Sequence, residues 1–302
     1  MTDRTWHDWY PLLIDAVNAV TAAPSAANKK ELRERISTAL RPKNVVRDKS
    51  WLIDTNEHGR SYSCMNQSEM GVALLRAGVV LGQDNYIEQG MAALQVLLAD
   101  YDDGGLRTRS GGGSWFHGMT SRSNKQPGGT LNKHLSAARW LQDAAQLVGP
   151  YSQSKQRAYR MAGEEGLRQL AAKKFPSLDH FIVKVNGQPR ADSWAYYAVT
   201  WGSREGRFLD HPTKNASYHL FCMRLVEELF NGVGVPIDRT EFRSNAKTGR
   251  SSLRRMLDSY EAKLAAGGLD VDSPAAPGGN FTAVTPGTEP LVPRVIELFK
   301  TL

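Results

Sequence analysis

The stretch NQSEMGVALLRAGVVLG, beginning at Asn66, is apolar on almost every side when wound as a helix. One residue after it, an amphipathic stretch begins at Asp84, DNYIEQGMAALQVLLADY. A helix without a polar face has to be enclosed on both sides. The amphipathic partner covers one side, so the rest of the chain must supply the other. The arrangement recurs: GTLNKHLSAARWLQDAAQLVG from Gly129 is followed by SQSKQRAYRMAGEEGLRQLAAKK from Ser152. A further buried helix reads NASYHLFCMRLVEELFNG from Asn215. Tyr86, Gly90 and Leu94 on one outer helix share the spacing Y-x3-G-x3-L with Tyr159, Gly163 and Leu167 on the other. Helix pairs that repeat at tens of residues, each with a buried inner member, predict a ring of helical hairpins.

The remaining periodicity agrees. Helices are predicted over about Trp6–Ala23, Asn28–Leu40 and Arg239–Ala266, and over the closing LVPRVIELFKTL. Alternating strand patterns are scarce, and HFIVKVNGQPR alone reads as a hairpin, with Asn186-Gly187 as its two-residue turn. The expected fold is therefore all-α, an (α/α) toroid or incomplete α/α barrel of helical hairpins with a small β-hairpin insertion. One domain is expected over residues 1–302. Within it lie N-terminal helices (1–64), a core (65–232), and a C-terminal part (233–302) with a Gly/Pro-rich tether.

Charge and cysteine usage narrow the function classes. The chain of 302 residues carries a net charge of +7 and a sequence pI near 9.4. Its basic residues fall in small clusters such as TSRSNK and TGRSSLRR, without zinc-finger spacing or a long basic run. This pattern suits attraction to an anionic small molecule or oligosaccharide, and no nucleic-acid partner is expected. No apolar run approaches the roughly 20 residues a membrane span requires, so no membrane partner is expected. The N-terminal MTDRTWHDWYPLL does not read as a secretory signal. Cys64 and Cys222 form no CxxC and read as free buried thiols. Together these predict a cytoplasmic protein; the oligomeric state stays open.

Residues 101–130, YDDGGLRTRSGGGSWFHGMTSRSNKQPGGT, are too long for a plain connection and read as a functional loop. The order of pieces around this loop carries a resemblance. A helix pair leads to Gly104-Gly105-Leu106-Arg107, then to Trp115-Phe116, then to a helix opening Leu131-Asn132. SWAYYAV and FLDHPTKNASYHLF follow before the next buried helix. Over about residues 65–230 this resembles the C-terminal α/α domain of D-glucuronyl C5-epimerases. Where that family carries an acidic residue and a tyrosine after the aromatic pair, this chain has His117-Gly118-Met119, and His134 stands where an aromatic is usual.

The resemblance implies a cofactor-independent carbohydrate-active enzyme, an isomerase that takes a proton from the carbon beside a uronate carboxylate. Such chemistry needs a group that neutralises the carboxylate, a base and an acid. Reprotonation from the opposite face gives epimerisation; protonation of the departing glycosidic oxygen gives lyase elimination. A natural-product or peptide tailoring enzyme using the same cavity, and a non-catalytic glycan-binding protein, are the other readings. The catalytic candidates are His134, His219, Tyr196, Tyr197 and Tyr218; the substrate-binding candidates are Asn132, Trp115, Phe116, His117, Arg107, Arg190 and His211. Each has a plainer alternative: a helix cap for Asn132, core packing for His134 and the aromatics. No HExxH, paired-cysteine or phosphate-loop motif occurs, so neither metal nor cofactor is expected.

Overall fold

The computed structural model describes residues 5–41, 45–48, 51–54, 61–110, 112–121, 124–171, 184–185, 188–189 and 198–200. Three helical hairpins follow one another: α1 (Trp6–Ala22) with α2 (Ala26–Ala39), α3 (Cys64–Leu81) with α4 (Asp84–Gln95), and α5 (Leu131–Val148) with α6 (Gln153–Ala171). Helices α1, α3 and α5 lie side by side, and α2, α4 and α6 each back their own partner. This is the inner and outer layering of an incomplete α/α barrel, as the periodicity predicts. The helices predicted beyond residue 171, and with them closure of the ring, lie outside the described residues.

Local chemistry sets the ends of these helices. Thr5 and Asp8 form a reciprocal capping box at the start of α1, and Ser25 accepts the Asn28 amide at the start of α2. Gly82 stops α3 in a left-handed conformation at φ 63°. The α3–α4 crossing is close because glycines face each other: a Cβ on Gly90 would lie 2.8 Å from the Gly71 carbonyl oxygen. Two apolar clusters result. One lies between α1, α2 and α3, around Trp6, Leu13, Leu32, Ile36 and Leu74. The other joins α3 and α4 to α5 and α6, around Leu75, Leu94, Phe116, Leu141 and Tyr159.

More strand is present than the sequence predicts. β1 (Val45–Asp48) and β2 (Trp51–Asp54) form an antiparallel pair ahead of β3 (Ser61–Tyr62). The stretch read as one long loop folds into β4 (Arg107–Ser110), β5 (Gly113–Phe116), β6 (Met119–Ser121) and β7 (Asn124–Thr130). β4 and β5 make a hairpin, and β7 lies between β6 and β10 (Ala198–Thr200) in a four-stranded sheet ending at β3. The predicted hairpin is present as β8 (Lys184–Val185) and β9 (Gln188–Pro189), with Val185 opposite Gln188. Among the described residues no helix is long and apolar enough to cross a membrane.

Candidate functional site

The glycine-rich segment delivers its aromatic pair inward. In the β4–β5 hairpin Arg107 pairs with Phe116 and Thr108 with Trp115. Strand β5 runs against α6, where a side chain at Gly113 would come within 2.9 Å of the Gln169 backbone. Trp115 and Phe116 are fully buried there. The Trp115 ring lies on the His134 ring at 3.9 Å. His134 links three elements, because its Nδ1 accepts the Phe116 amide at 3.1 Å and its Nε2 faces the Gly166 carbonyl oxygen at 3.0 Å. A nitrogen that accepts carries no proton, so Nε2 holds the single proton and donates it. Burial pushes the His134 imidazole down to about 3, so the ring is neutral at physiological pH.

At His134, the residue expected to act as a base, both ring nitrogens meet backbone groups, and the ring fastens β5 to α5 and α6. Trp115, expected to stack on sugar, here stacks on His134, and Phe116 packs in the cluster between α3, α4, α5 and α6. Arg107 is buried and its guanidinium pairs with Glu165, while its Nε donates to Ser114 Oγ at 2.8 Å. Ser114 in turn donates to Glu165 at 2.6 Å, so the expected carboxylate ligand already has an internal carboxylate. His117 is buried, with Nε2 2.7 Å from Thr108 Oγ1 and its ring edge-on to Tyr101. Asn132 is buried in the first turn of α5, whose N-cap is Thr130, so capping is not its task. Arg190, Tyr196, Tyr197, His211, Tyr218 and His219 lie outside the described residues.

A second cluster, on the inner helices, contains Asn132 alone of the sequence candidates. Helix α3 carries Asn66, Glu69 and Arg76 and helix α5 carries Asn132, Ser136, Arg139 and Asp143 at the spacing of one helix face. Asp143 Oδ2 accepts from Arg76 at 2.9 Å and from Arg139 at 2.8 Å. The Arg139 guanidinium sits 4.0 Å over the Trp140 ring, a favourable contact between cation and aromatic face. Trp140 meets Tyr10 of α1 with ring centroids 5.3 Å apart. One turn before Tyr10, His7 Nδ1 lies 2.8 Å from Glu69 Oε2. Burial, and then the Glu69 charge, push the Tyr10 hydroxyl well above its ordinary range, against the pull of Arg76 and Arg139.

The cluster has a polar floor and an open rim. Glu69, Arg139 and Asp143 are buried, whereas His7 is exposed and Tyr10, Arg76 and Trp140 are half-buried. Such a wall offers a solvent-reachable guanidinium, an aromatic face and a histidine beside a carboxylate within one surface. A legible signal existed: Glu69 and Arg76 stand seven residues apart in a helix otherwise apolar all round, and a buried charge requires a partner. The partners, Asp143 and His7, are far away in sequence, so only folding reveals them. Among the described residues no three His, Cys, Asp or Glu side chains converge as a metal site would require.

Residues 54–231, more than half of the chain, match the family model described as the D-glucuronyl C5-epimerase C-terminus. Two solved structures are similar at 12% identity. One is the endo-β-1,4-glucanase CMCax from Acetobacter xylinum, with a TM-score of 0.45 over 97% of this chain and 88% of that one. The other is the endoglucanase Cel10 from Klebsiella pneumoniae, a family 8 glycosyl hydrolase, with a TM-score of 0.44 over 97% of this chain and 89% of that one. No curated protein matches the sequence.

Proposed function

We propose, on the premise that the chain belongs to the family of the D-glucuronyl C5-epimerase C-terminus, that this carbohydrate-active enzyme takes a proton from the carbon beside a uronate carboxylate. The observation that carries the reading is where the family-matched stretch places its charges. Glu69, Arg76, Arg139 and Asp143 all fall within residues 54–231; the last three meet through Asp143, with Glu69 two turns before Arg76 on the same face of α3. Removing a proton next to a carboxylate leaves negative charge on the carboxylate oxygens, and a guanidinium already oriented by Asp143 stabilises that charge without reorganising. Trp140 and Tyr10 offer aromatic faces for the sugar ring beside it. On this reading His134, Arg107 and the aromatic pair hold the frame, and the inner wall binds substrate.

C5 epimerisation is the favoured outcome, with β-elimination at the same centre as the alternative. One experiment separates them. Full-length protein is incubated in D2O with oligosaccharides containing internal D-glucuronate and followed by NMR and ultraviolet absorbance. Deuterium entering C5 with the chain intact signals epimerisation, and a new unsaturated product signals elimination. Saturable binding with neither would remove the enzymatic reading.

A further inference from the structure

Helix α3 lies between α1 and α5, yet rings from the two flanking helices meet across it. Tyr10 of α1 and Trp140 of α5 have centroids 5.3 Å apart and planes tilted by 57°. Contacts continue from this ring pair to the charges: the Arg139 guanidinium lies 4.0 Å over Trp140, and Asp143 Oδ2 accepts from Arg139 at 2.8 Å and from Arg76 at 2.9 Å. The charges of Arg76, Arg139, Asp143 and Glu69 all act on the Tyr10 hydroxyl. That hydroxyl is half-buried and makes no hydrogen bond among the described residues. A tyrosine O–H in such a position normally has a partner. Burial and Glu69 keep it protonated, so it can only offer a donor to an incoming acceptor. Arg76 is the other open donor: it commits Nη2 to Asp143, its side chain is 32% exposed, and its remaining N–H groups are unspent among the described residues.

We propose that Tyr10 is a specificity-determining residue of this wall, its hydroxyl donating to one oxygen of a uronate carboxylate whose other oxygen meets Arg76; the assignment rests on the function proposed above. A carboxylate offers two acceptor oxygens and a charge, and the two donors use both. A neutral sugar with a hydroxymethyl group at the same carbon has one oxygen and no charge, so it satisfies neither pairing fully. Trp140 and Asp143 hold the two donors in place beforehand, which limits the ordering cost of binding. Recognition of the acid is then completed by α1, which precedes the family-matched stretch.

The test titrates full-length wild type, Tyr10→Phe, Arg76→Met and the double variant by calorimetry. The probes are a hexasaccharide with internal D-glucuronate and its carboxyl-reduced counterpart. Tyr10→Phe keeps the ring against Trp140, so its thermal melt should match wild type. It should weaken binding of the uronate probe by about 10–100-fold, the range for a lost hydrogen bond to a charged group, and leave the reduced probe nearly unaffected. The double variant should lose less than the product of the two single losses, because both donors meet one carboxylate. Unchanged uronate binding in Tyr10→Phe, or equal losses for both probes, overturns the assignment and leaves the function standing. Single losses that simply multiply in the double variant overturn the shared carboxylate. Wild type that binds neither probe sinks site and function together. Wild type that prefers the uronate probe through Tyr10, yet exchanges no C5 proton in D2O and forms no unsaturated product, sinks the function and upholds the site.

Discussion

Trp115 lies flat on His134, with the ring planes 4° from parallel and the centroids 3.9 Å apart. The stack covers one face of the imidazole, while backbone groups hold both nitrogens. The consequence is a pH-dependent stability. Folding holds this imidazole at about 3, well below its ordinary value of 6.5. As pH falls the unfolded chain takes up the proton first, so unfolding gains. The contribution is complete above pH 6.5 or so and is lost progressively toward pH 3. Urea midpoints measured from pH 8 to 4 should fall more steeply for wild type than for His134→Gln. Parallel profiles would refute this, and His134→Gln assayed folded at pH 8 should retain most of its turnover.

Glu165→Ala should destabilise the fold strongly, because it leaves the buried Arg107 guanidinium with Ser114 as its remaining partner in this contact. Breaking one side of a buried ion pair costs about 3–5 kcal/mol. The double variant Arg107→Met/Glu165→Leu should lie closer to wild type, since no charge is then stranded. Equilibrium urea unfolding of the three proteins decides the matter.

Gly90→Ala should cost about 1–3 kcal/mol through overpacking, because the added methyl meets the Gly71 carbonyl oxygen at 2.8 Å and the Leu75 nitrogen at 3.0 Å. Gly163→Ala, facing the Ala138 carbonyl oxygen at 3.0 Å and the flexible Gln142 side chain at 3.1 Å, should cost less. Thermal melts rank the pair, and a larger loss at Gly163 would contradict the geometry.

Arg76→Met should lower kcat/KM for a uronate oligosaccharide by about 10–100-fold, the range a lost charged hydrogen bond implies. Much of the loss should fall in kcat, because the charge it meets grows as the proton leaves. Binding of a neutral oligosaccharide of the same length should be unaffected. Steady-state kinetics and calorimetric titration read the two effects, and equal losses for both ligands would show that Arg76 shapes the wall without meeting the carboxylate.

The glycine pair shows why the helices were legible. The Y-x3-G-x3-L repeat marks the point where each outer helix approaches its inner partner, and that approach is a local property of spacing and residue size. The inner and outer layering followed from hydrophobic period alone. The strands between residues 107 and 130 were hidden because glycine and polar residues dominate them: GGGS and NKQPGG carry little alternation, and their pairing is fixed by α5, α6 and β10. The site was less legible for a related reason. His134 and Arg107 look reactive in sequence, and their true partners, Gly166 and Glu165, lie about one helical hairpin away. Glu69 and Arg76 stand out as charges in a buried helix, but their partners His7 and Asp143 lie more than 60 residues away in sequence and meet them only across the inner layer.

Asp54, where the family-matched stretch begins, is buried and accepts the Trp6 amide at 2.9 Å, the first amide of α1. The same carboxylate faces the Asn66 amide nitrogen of α3 at 3.5 Å. The boundary that sequence comparison draws therefore falls on a joint. An excised fragment starting at residue 54 would keep both arginines and lose the helix that Asp54 anchors, along with His7 and Tyr10. The stretch that sequence comparison recognises and the unit that packs together differ here by one helical hairpin. Lineages that exchange or remodel this leading hairpin would then rebuild one side of the inner layer while their family signature stays the same.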